Sequence, residues 1–249
     1  MSKLEGKVAV VTGASKGIGA AIAEELAAQG AAVVVNYAAS ADGAAEVVRK
    51  IQANGGKAKA IRADVSKPGE ARQLIDAALK EFGRIDVLVN NAAVYDFKGL
   101  AEISEEHYDR MFDLNVKGLL FTTQAAAKAF DGGGGAIINI SSMASVGAVP
   151  GASIYSATKA AIDSFTRTLA AELGPRKILV NSILPGPVET EGTREMANWD
   201  DFQAQMIPRT PLGRIGQPRD IATVVSFLAS DEAGWITGQM IPVAGGLRA

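Results

Sequence analysis

Cysteine is absent from the 249-residue sequence. That excludes disulfides, thiolate catalysis and cysteine metal sites, and it is compatible with a reducing compartment. Only one histidine is present, His107. A histidine-rich metal site is therefore excluded and no metal is expected; His107 itself is read as a surface residue on a helix. No apolar run reaches about 18 residues, so no membrane span is expected. The start, Met1-Ser2-Lys3-Leu4-Glu5-Gly6-Lys7, lacks the apolar core of a signal peptide, and a cytoplasmic location is expected. Charge of one sign is also missing. There are 25 basic and 27 acidic residues, net −2, with no basic run, so nucleic acid is not an expected partner.

What the chain does have is apolar bulk, 48% of its residues. That is enough for one large core, and a single domain over 1–249 is expected. Short β-branched runs alternate with helical patterns. Val8–Val11, Ala32–Tyr37, Lys57–Ile61, Ile85–Asn90, Ala136–Ile140, Lys177–Ile183 and Trp235–Val243 read as strands. Helices are expected from the glycine turn to Gly30, over Gly69–Phe82, within Glu102–Phe130, after Tyr155 and over Arg219–Ala229. This alternation predicts an α/β fold, a doubly wound seven-stranded parallel sheet with helices on both faces.

The first strand runs into Thr12-Gly13-Ala14-Ser15-Lys16-Gly17-Ile18-Gly19 and then a helix. Strand, glycine turn, helix is the context of a dinucleotide site. The glycines let the backbone approach a pyrophosphate, and the helix N-terminus offers N–H groups and a positive dipole end. In dinucleotide folds an acid at the end of the second strand binds ribose hydroxyls. Here that position is read as Asn36, which is uncharged, and Lys16 is available to a phosphate. The glycine turn at 130–135 precedes a strand, not a helix, and is read as a plain loop.

The stretch that organises the rest is Ser141-Ser142-Met143-Ala144-Ser145, followed by Tyr155-Ser156-Ala157-Thr158-Lys159. The fifth strand delivers Ser142 to its end, where ligands bind in open α/β sheets. Tyr155 and Lys159 are four apart and share one helix face. A unit charge about 4 Å from the phenol, at an effective dielectric near 20, is worth roughly 4 kcal/mol. That is about three pKa units and would bring a phenol into working range. The expectation is that Lys159 lowers the Tyr155 pKa.

Taken together, these motifs resemble the short-chain dehydrogenase/reductase family through almost the whole chain. Its T-G-x-x-x-G-x-G pattern is matched at 12–19. Its N-N-A-G is matched at Asn90-Asn91-Ala92, with Ala93 where glycine is usual, and its P-G-x-x-x-T at Pro185-Gly186-Pro187-Val188-Glu189-Thr190. Ser142 stands thirteen before Tyr155, the family spacing, and is preferred over Ser141. The resemblance implies a catalytic set of Asn115, Ser142, Tyr155 and Lys159. It implies a cofactor bound by Gly13, Ser15, Lys16, Gly17, Ile18, Gly19, Asn36, Tyr37, Asp64, Val65, Asn91, Ala92, Ala93, Tyr155, Lys159, Pro185, Gly186, Val188 and Thr190. Asp64 and Val65 would meet the adenine, Thr190 the carboxamide, and Asn115 would sit in a helix kink and hold a relay water. Asp64 taken alone is equally a turn residue. Asn36 and Lys16 imply NADP(H) in preference to NAD(H). Ala244 stands where the family has aspartate.

The activity implied is interconversion of a carbonyl and an alcohol by hydride transfer. The leading substrate reading is a small-molecule ketone or aldehyde. The alternatives are 3-oxoacyl chains on acyl carrier protein, for which Arg167, Arg176 and Lys177 are the remaining basic residues, and an aldose. A non-catalytic binding protein on this fold is the reading from another class. The segment 190–210, with Met196, Trp199, Phe202 and Met206, is read as a substrate lid. By resemblance the protein is expected to be a homotetramer.

Overall fold

The computed structural model describes residues 2–130, 133–195 and 198–247. Asp131 and Gly132 of the glycine loop and Met196 of the expected lid lie outside them. Seven strands form one parallel sheet: β1 Val8–Val11, β2 Ala32–Tyr37, β3 Lys57–Arg62, β4 Val87–Asn90, β5 Gly135–Ile140, β6 Ile178–Pro185 and β7 Met240–Val243. Their order is β3-β2-β1-β4-β5-β6-β7, so the winding reverses between β1 and β4. That switch point opens a crevice at the carboxyl ends of the strands, the expected place for a ligand.

Strand residues alternate between two cores, as a period of two requires. Ala9, Val11, Val33, Val35, Val87, Val89, Ile138 and Ile140 point to one face, where helices α1 (Gly17–Ala28), α2 (Ala41–Ala53) and α9 (Pro218–Ala229) cover them. Val10, Val34, Leu88, Ile137 and Val180 point to the other. There α3 (Pro68–Phe82), α5 (Leu119–Ala129) and α6 (Ser153–Leu173) close the core. Central strands buried on both faces explain why β1 is a continuous apolar run.

A buried polar row then fixes α5 and α6 on the sheet. Asn90 and Asn139 are register partners. The Asn90 amide donates to Asn139 Oδ1 at 2.9 Å and to Thr123 Oγ1 of α5 at 2.8 Å. Asn139 donates to Thr166 of α6 at 2.9 Å, and Ser182 donates to Asp163 of α6 at 3.0 Å. Each bond satisfies a polar group that burial would otherwise penalise.

Two expectations are corrected here. The seventh strand is confined to Met240–Val243. Trp235 is wholly exposed, Gly238 turns at φ 71, and the Val180 N–H bonds the Thr237 side chain at 3.1 Å instead of a strand partner. His107 is buried, not superficial. It lies on α4 (Glu105–Phe112), which continues through a π-helical segment, Asp113–Gly118, into α5.

Candidate active site

The glycine turn is built by steric exclusion. Gly13 and Gly17 have φ of 61° and 58°, a region that side chains disfavour. A Cβ on Gly19 would lie 2.4 Å from both Asn91 Nδ2 and Gly13 O. Asn91 holds the turn from below, donating to Thr12 O at 2.9 Å and Gly13 O at 3.0 Å. Thr12 Oγ1 accepts the N–H groups of Asn91 and Ala92, both at 3.0 Å. Ile18 packs into the core, Ser15 is half-buried and Lys16 is exposed beside the mouth of α1. The Gly17 N–H donates to the Glu191 carboxylate at 3.1 Å. An anion thus stands where a helix N-terminus favours one, and the first turn of α1 has no acidic residue of its own. These residues fit a pyrophosphate.

β2 ends at Tyr37, as the sequence reading had it, but Asn36 is not its outward-facing residue. Asn36 is buried under the glycine turn. Its Oδ1 accepts the Gly13 N–H at 3.2 Å and its amide donates to Ala63 O at 3.0 Å. With both ends of the amide engaged, it does not face a ribose. The next residues, Tyr37-Ala38-Ala39-Ser40, form the outer edge, and none carries a charge. Arg62 reaches this edge from β3, donating to Ala38 O at 3.3 Å. Asp64 behaves as a turn residue: its Oδ1 accepts Ser66 Oγ at 2.7 Å and Ser66 N at 3.1 Å. The Ser66 bonds hold its carboxyl below the usual range. Val65 beside it is buried.

At the far end of the crevice β6 leads into Pro185-Gly186. A Cβ on Gly186 would lie 2.8 Å from Ala244 Cβ. Val188 pairs with Gly216 across an isolated bridge. The Thr190 hydroxyl caps the short helix α7 (Glu191–Arg194), accepting Thr193 N at 3.2 Å. After α7 comes α8 (Trp199–Met206), on which Trp199 and Phe202 stack with centroids 5.7 Å apart.

The predicted catalytic residues converge. Ser142 follows β5 in extended backbone, and its hydroxyl caps a 3-10 turn at Ala144 N, 3.1 Å away. Ser141 is turned inward and donates to Lys159 O at 3.2 Å. Tyr155 lies in the first turn of α6, half-buried, and Ser142 is the neighbour whose hydroxyl acts to lower its pKa. Lys159 is buried one turn on, and its Nζ donates to Ile140 O at 2.8 Å. Asn115 sits in the π segment, so the expected kink has a definite form. Its side chain accepts Val94 N and donates to Val94 O, both at 2.9 Å, and to Thr158 Oγ1 at 3.1 Å. Thr158 in turn donates to Tyr155 O at 2.7 Å, tying the kink to α6.

The electrostatics depart from expectation. Burial pushes the Tyr155 phenol above its ordinary pKa; the neighbouring Ser142 hydroxyl pulls it down by less. Lys159 is not the lowering influence. Its own pKa falls to about 8 because burial disfavours the ammonium, against a smaller opposing pull from Asp163. Desolvation has outweighed the charge–phenol attraction that the spacing suggested.

Two aromatic residues beside Tyr155 lie outside the motif reading, which stopped at Ala93. Tyr95 and Phe97 lie beside Tyr155 with their ring planes nearly perpendicular to its own, centroids 6.4 and 5.9 Å away. Their signal was an aromatic at every second position directly after an asparagine-alanine strand exit.

The family described as enoyl-(acyl carrier protein) reductase matches residues 13–248. The chain belongs to the short-chain dehydrogenase/reductase family. An oxidoreductase of Methylorubrum extorquens is 57% identical over 249 residues, covering 100% of both chains. Versicolorin reductase of Emericella nidulans is 42% identical, covering 98% of this chain and 96% of its own. Among solved structures, a short-chain dehydrogenase/reductase from Serratia marcescens superposes with a TM-score of 0.94 at 40% identity, covering 99% and 100%. An angucycline C-6 ketoreductase with bound NADP gives 0.92 at 38%, covering 99% and 97%. This short-chain dehydrogenase/reductase is therefore an oxidoreductase of the nicotinamide-dependent kind. Among the described residues no helix is long and apolar enough to cross a membrane, and no three acidic or histidine side chains gather as metal ligands.

Proposed function

We propose that the protein is an NADP(H)-dependent ketoreductase acting on a small-molecule carbonyl, with Tyr155 as the general acid and base. The observation that carries this is the convergence of Tyr155 in the first turn of α6, Lys159 Nζ 5.5 Å from its ring centre, and Ser142 at the exit of β5, beside the switch point that the glycine turn flanks. When bound, the nicotinamide supplies or accepts the hydride. In reduction Tyr155 donates its proton to the substrate oxygen; in oxidation it takes that proton back. Burial keeps the proton on the phenol at neutral pH, the form that reduction needs. Ser142 orients the same oxygen and offsets its developing charge. Lys159 holds the nicotinamide ribose, and Asn115 carries the link from the lysine toward solvent.

Preference for NADP(H) rests on the uncharged edge Tyr37–Ser40, with Lys16 and Arg62 as the cations beside it. The NADP found in the angucycline ketoreductase is in keeping with this. An acyl-carrier partner is less well supported: Arg176, one of its docking candidates, is bound to Ala127 O at 2.6 Å at the end of α5. A homotetramer would cover two apolar features: the stacked Tyr108–Phe112 pair on α4, and Trp235 near the open edge at β7. Light scattering on the eluting protein reads that state directly.

The test is a nicotinamide fluorescence titration with NADPH and NADH, followed by a ketone panel in the tighter cofactor. NADPH binding at least tenfold tighter, about 1.4 kcal/mol, with ketone turnover supports the proposal. Equal or better NADH binding refutes the cofactor half, and cofactor binding without turnover refutes the enzymatic half.

A further inference from the structure

We propose that Tyr95 and Phe97 form the substrate-selecting wall of the cleft, that this wall takes flat aromatic carbonyl compounds, and that His107 is the positioning residue that holds it. The inference rests on the ketoreductase reading and names the substrate class of that site.

The segment 93–99 is extended but pairs with no strand. Its even residues are held from behind, one after another. Val94 is bonded through both N and O by Asn115 at 2.9 Å. Asp96 O is bonded by His107 Nε2 at 3.0 Å. Lys98 N donates to Gly151 O at 2.9 Å. In extended backbone alternate side chains face opposite ways, so holding 94, 96 and 98 presents 93, 95, 97 and 99. These four are the exposed positions of the segment. Tyr95 and Phe97 are 45% and 48% exposed, although both are large aromatics.

The two rings lie 6.0 Å apart and are tilted 30° to one another, so together they make a shallow bed. The Tyr155 ring plane is nearly perpendicular to that bed, at 77° to Tyr95 and 79° to Phe97. A flat ring system laid on the bed brings a carbonyl at its rim toward the Tyr155 hydroxyl. Adjacent exposed aromatics at a catalytic group mark a ligand surface. Ring pairs add about two- to tenfold each beyond area burial. The lid side comes close to the wall: a Cβ on Gly192 would lie 3.0 Å from the Tyr95 hydroxyl, so a side chain there would press on the Tyr95 ring.

His107 explains why the bed has a fixed pitch. A carbonyl only accepts, so Nε2 carries the proton and Nδ1 is left bare. Nδ1 is buried and has no partner among the described residues. Leaving such an atom unpaired carries a cost, and the bond it permits fixes the peptide between the two rings. Any residue would fill the space; a donor at this reach is what the wall requires.

The experiment uses the NADP-loaded protein with two matched pairs of probes. 2-Naphthol and trans-2-decalol are compared by calorimetric binding, and 2-tetralone and 2-decalone by steady-state reduction. The saturated partners keep the bicyclic size and lose the flat ring. Wild type is expected to favour the aromatic member of each pair at least tenfold. Phe97→Leu and Tyr95→Leu, which keep apolar bulk, should reduce that preference to threefold or less. His107→Leu should raise KM for 2-tetralone about fivefold with kcat and the 2-decalone KM unchanged, and His107→Gln should restore it. Equal preference in wild type, or a preference untouched in both leucine variants, overturns the proposal. So does a His107→Leu loss spread evenly over both ketones together with a lower melting temperature. If 2-naphthol is preferred and Phe97→Leu removes that preference while neither ketone is reduced, the wall stands and the ketoreductase reading falls. If both ketones are reduced alike, the reverse holds.

Discussion

Lys159 Nζ lies 5.5 Å from the centre of the Tyr155 ring and directs its hydrogen bond to the Ile140 carbonyl, 2.8 Å away. The ammonium thus lies over the phenol ring, and burial lowers its own pKa to about 8.

The pH profile of reduction should reflect this. Tyr155, raised by burial, stays protonated through neutral pH, so the acid is intact there. Lys159 is charged below about 8 and loses its charge above. The expected rate is flat at low pH and falls through pH 8. In Lys159→Arg, where the cation does not titrate, the fall should move above pH 10. A fall that stays at 8 in that variant would exclude Lys159 as its source.

The same lysine should cost stability. Its folded pKa, about 8, is below its ordinary value of 10.5, so the unfolded chain binds more protons between them. Stability should therefore rise as pH climbs from about 8 to 10.5, and be lost as pH falls back through 8. At neutral pH the penalty is roughly 3 kcal/mol, from about 1.36 per unit. Lys159→Met loses the Ile140 hydrogen bond, about 1 kcal/mol. The variant should still melt several degrees higher than wild type at pH 7, with the gap closing by pH 10.5. Calorimetry at both pH values reads it.

Tyr155→Phe should lower kcat by at least a factor of about 10² to 10⁴, the usual worth of a general acid, with the cofactor dissociation constant held within about twofold. Ser142→Ala should cost about 10² to 10³. Near-normal turnover in Tyr155→Phe would end the proposed mechanism.

Gly19→Ala and Gly69→Ala form a matched pair. The first sets a methyl 2.4 Å from Asn91 Nδ2 and Gly13 O; the second meets nothing within 4 Å. Gly19→Ala should weaken cofactor binding at least tenfold and lower stability by about 1–3 kcal/mol. Gly69→Ala, inside α3, should leave binding alone and stabilise by about 0.5–1 kcal/mol. Titration and urea unfolding separate the two.

Glu191 occupies the Gly17 N–H that a phosphate would use. Glu191→Gln removes a charge worth about 0.3–1 kcal/mol at a helix mouth. Cofactor should then bind about two- to fivefold tighter, with the difference shrinking in high salt. Weaker binding would mean that the carboxylate assists the ligand.

Much of the fold was legible because buried parallel strands announce themselves as apolar runs, and Gly13, Gly17 and Gly19 have backbone reasons to be glycine. The Tyr155–Lys159 pair was legible because a helix repeats at four. Three things were hidden. His107 is polar and sits on a helix, and only the packing of the segment before it shows that it is buried. The Tyr155 shift turned on desolvation, which spacing does not report. Asn36 was taken for the ribose-facing residue because it stands near the end of β2; it is buried, and Tyr37, the last residue of the strand, is the partly exposed one.

The Asn36 amide is at once an acceptor for Gly13 and a donor to Ala63. If the proposed NADP(H) preference holds, an aspartate written over this asparagine is no route to the unphosphorylated coenzyme. A carboxylate could still take the Gly13 N–H, but it would face the Ala63 carbonyl with nothing to donate. The turn would loosen before any ribose noticed. The rewritable letters are Tyr37 to Ser40, on the outside of the strand.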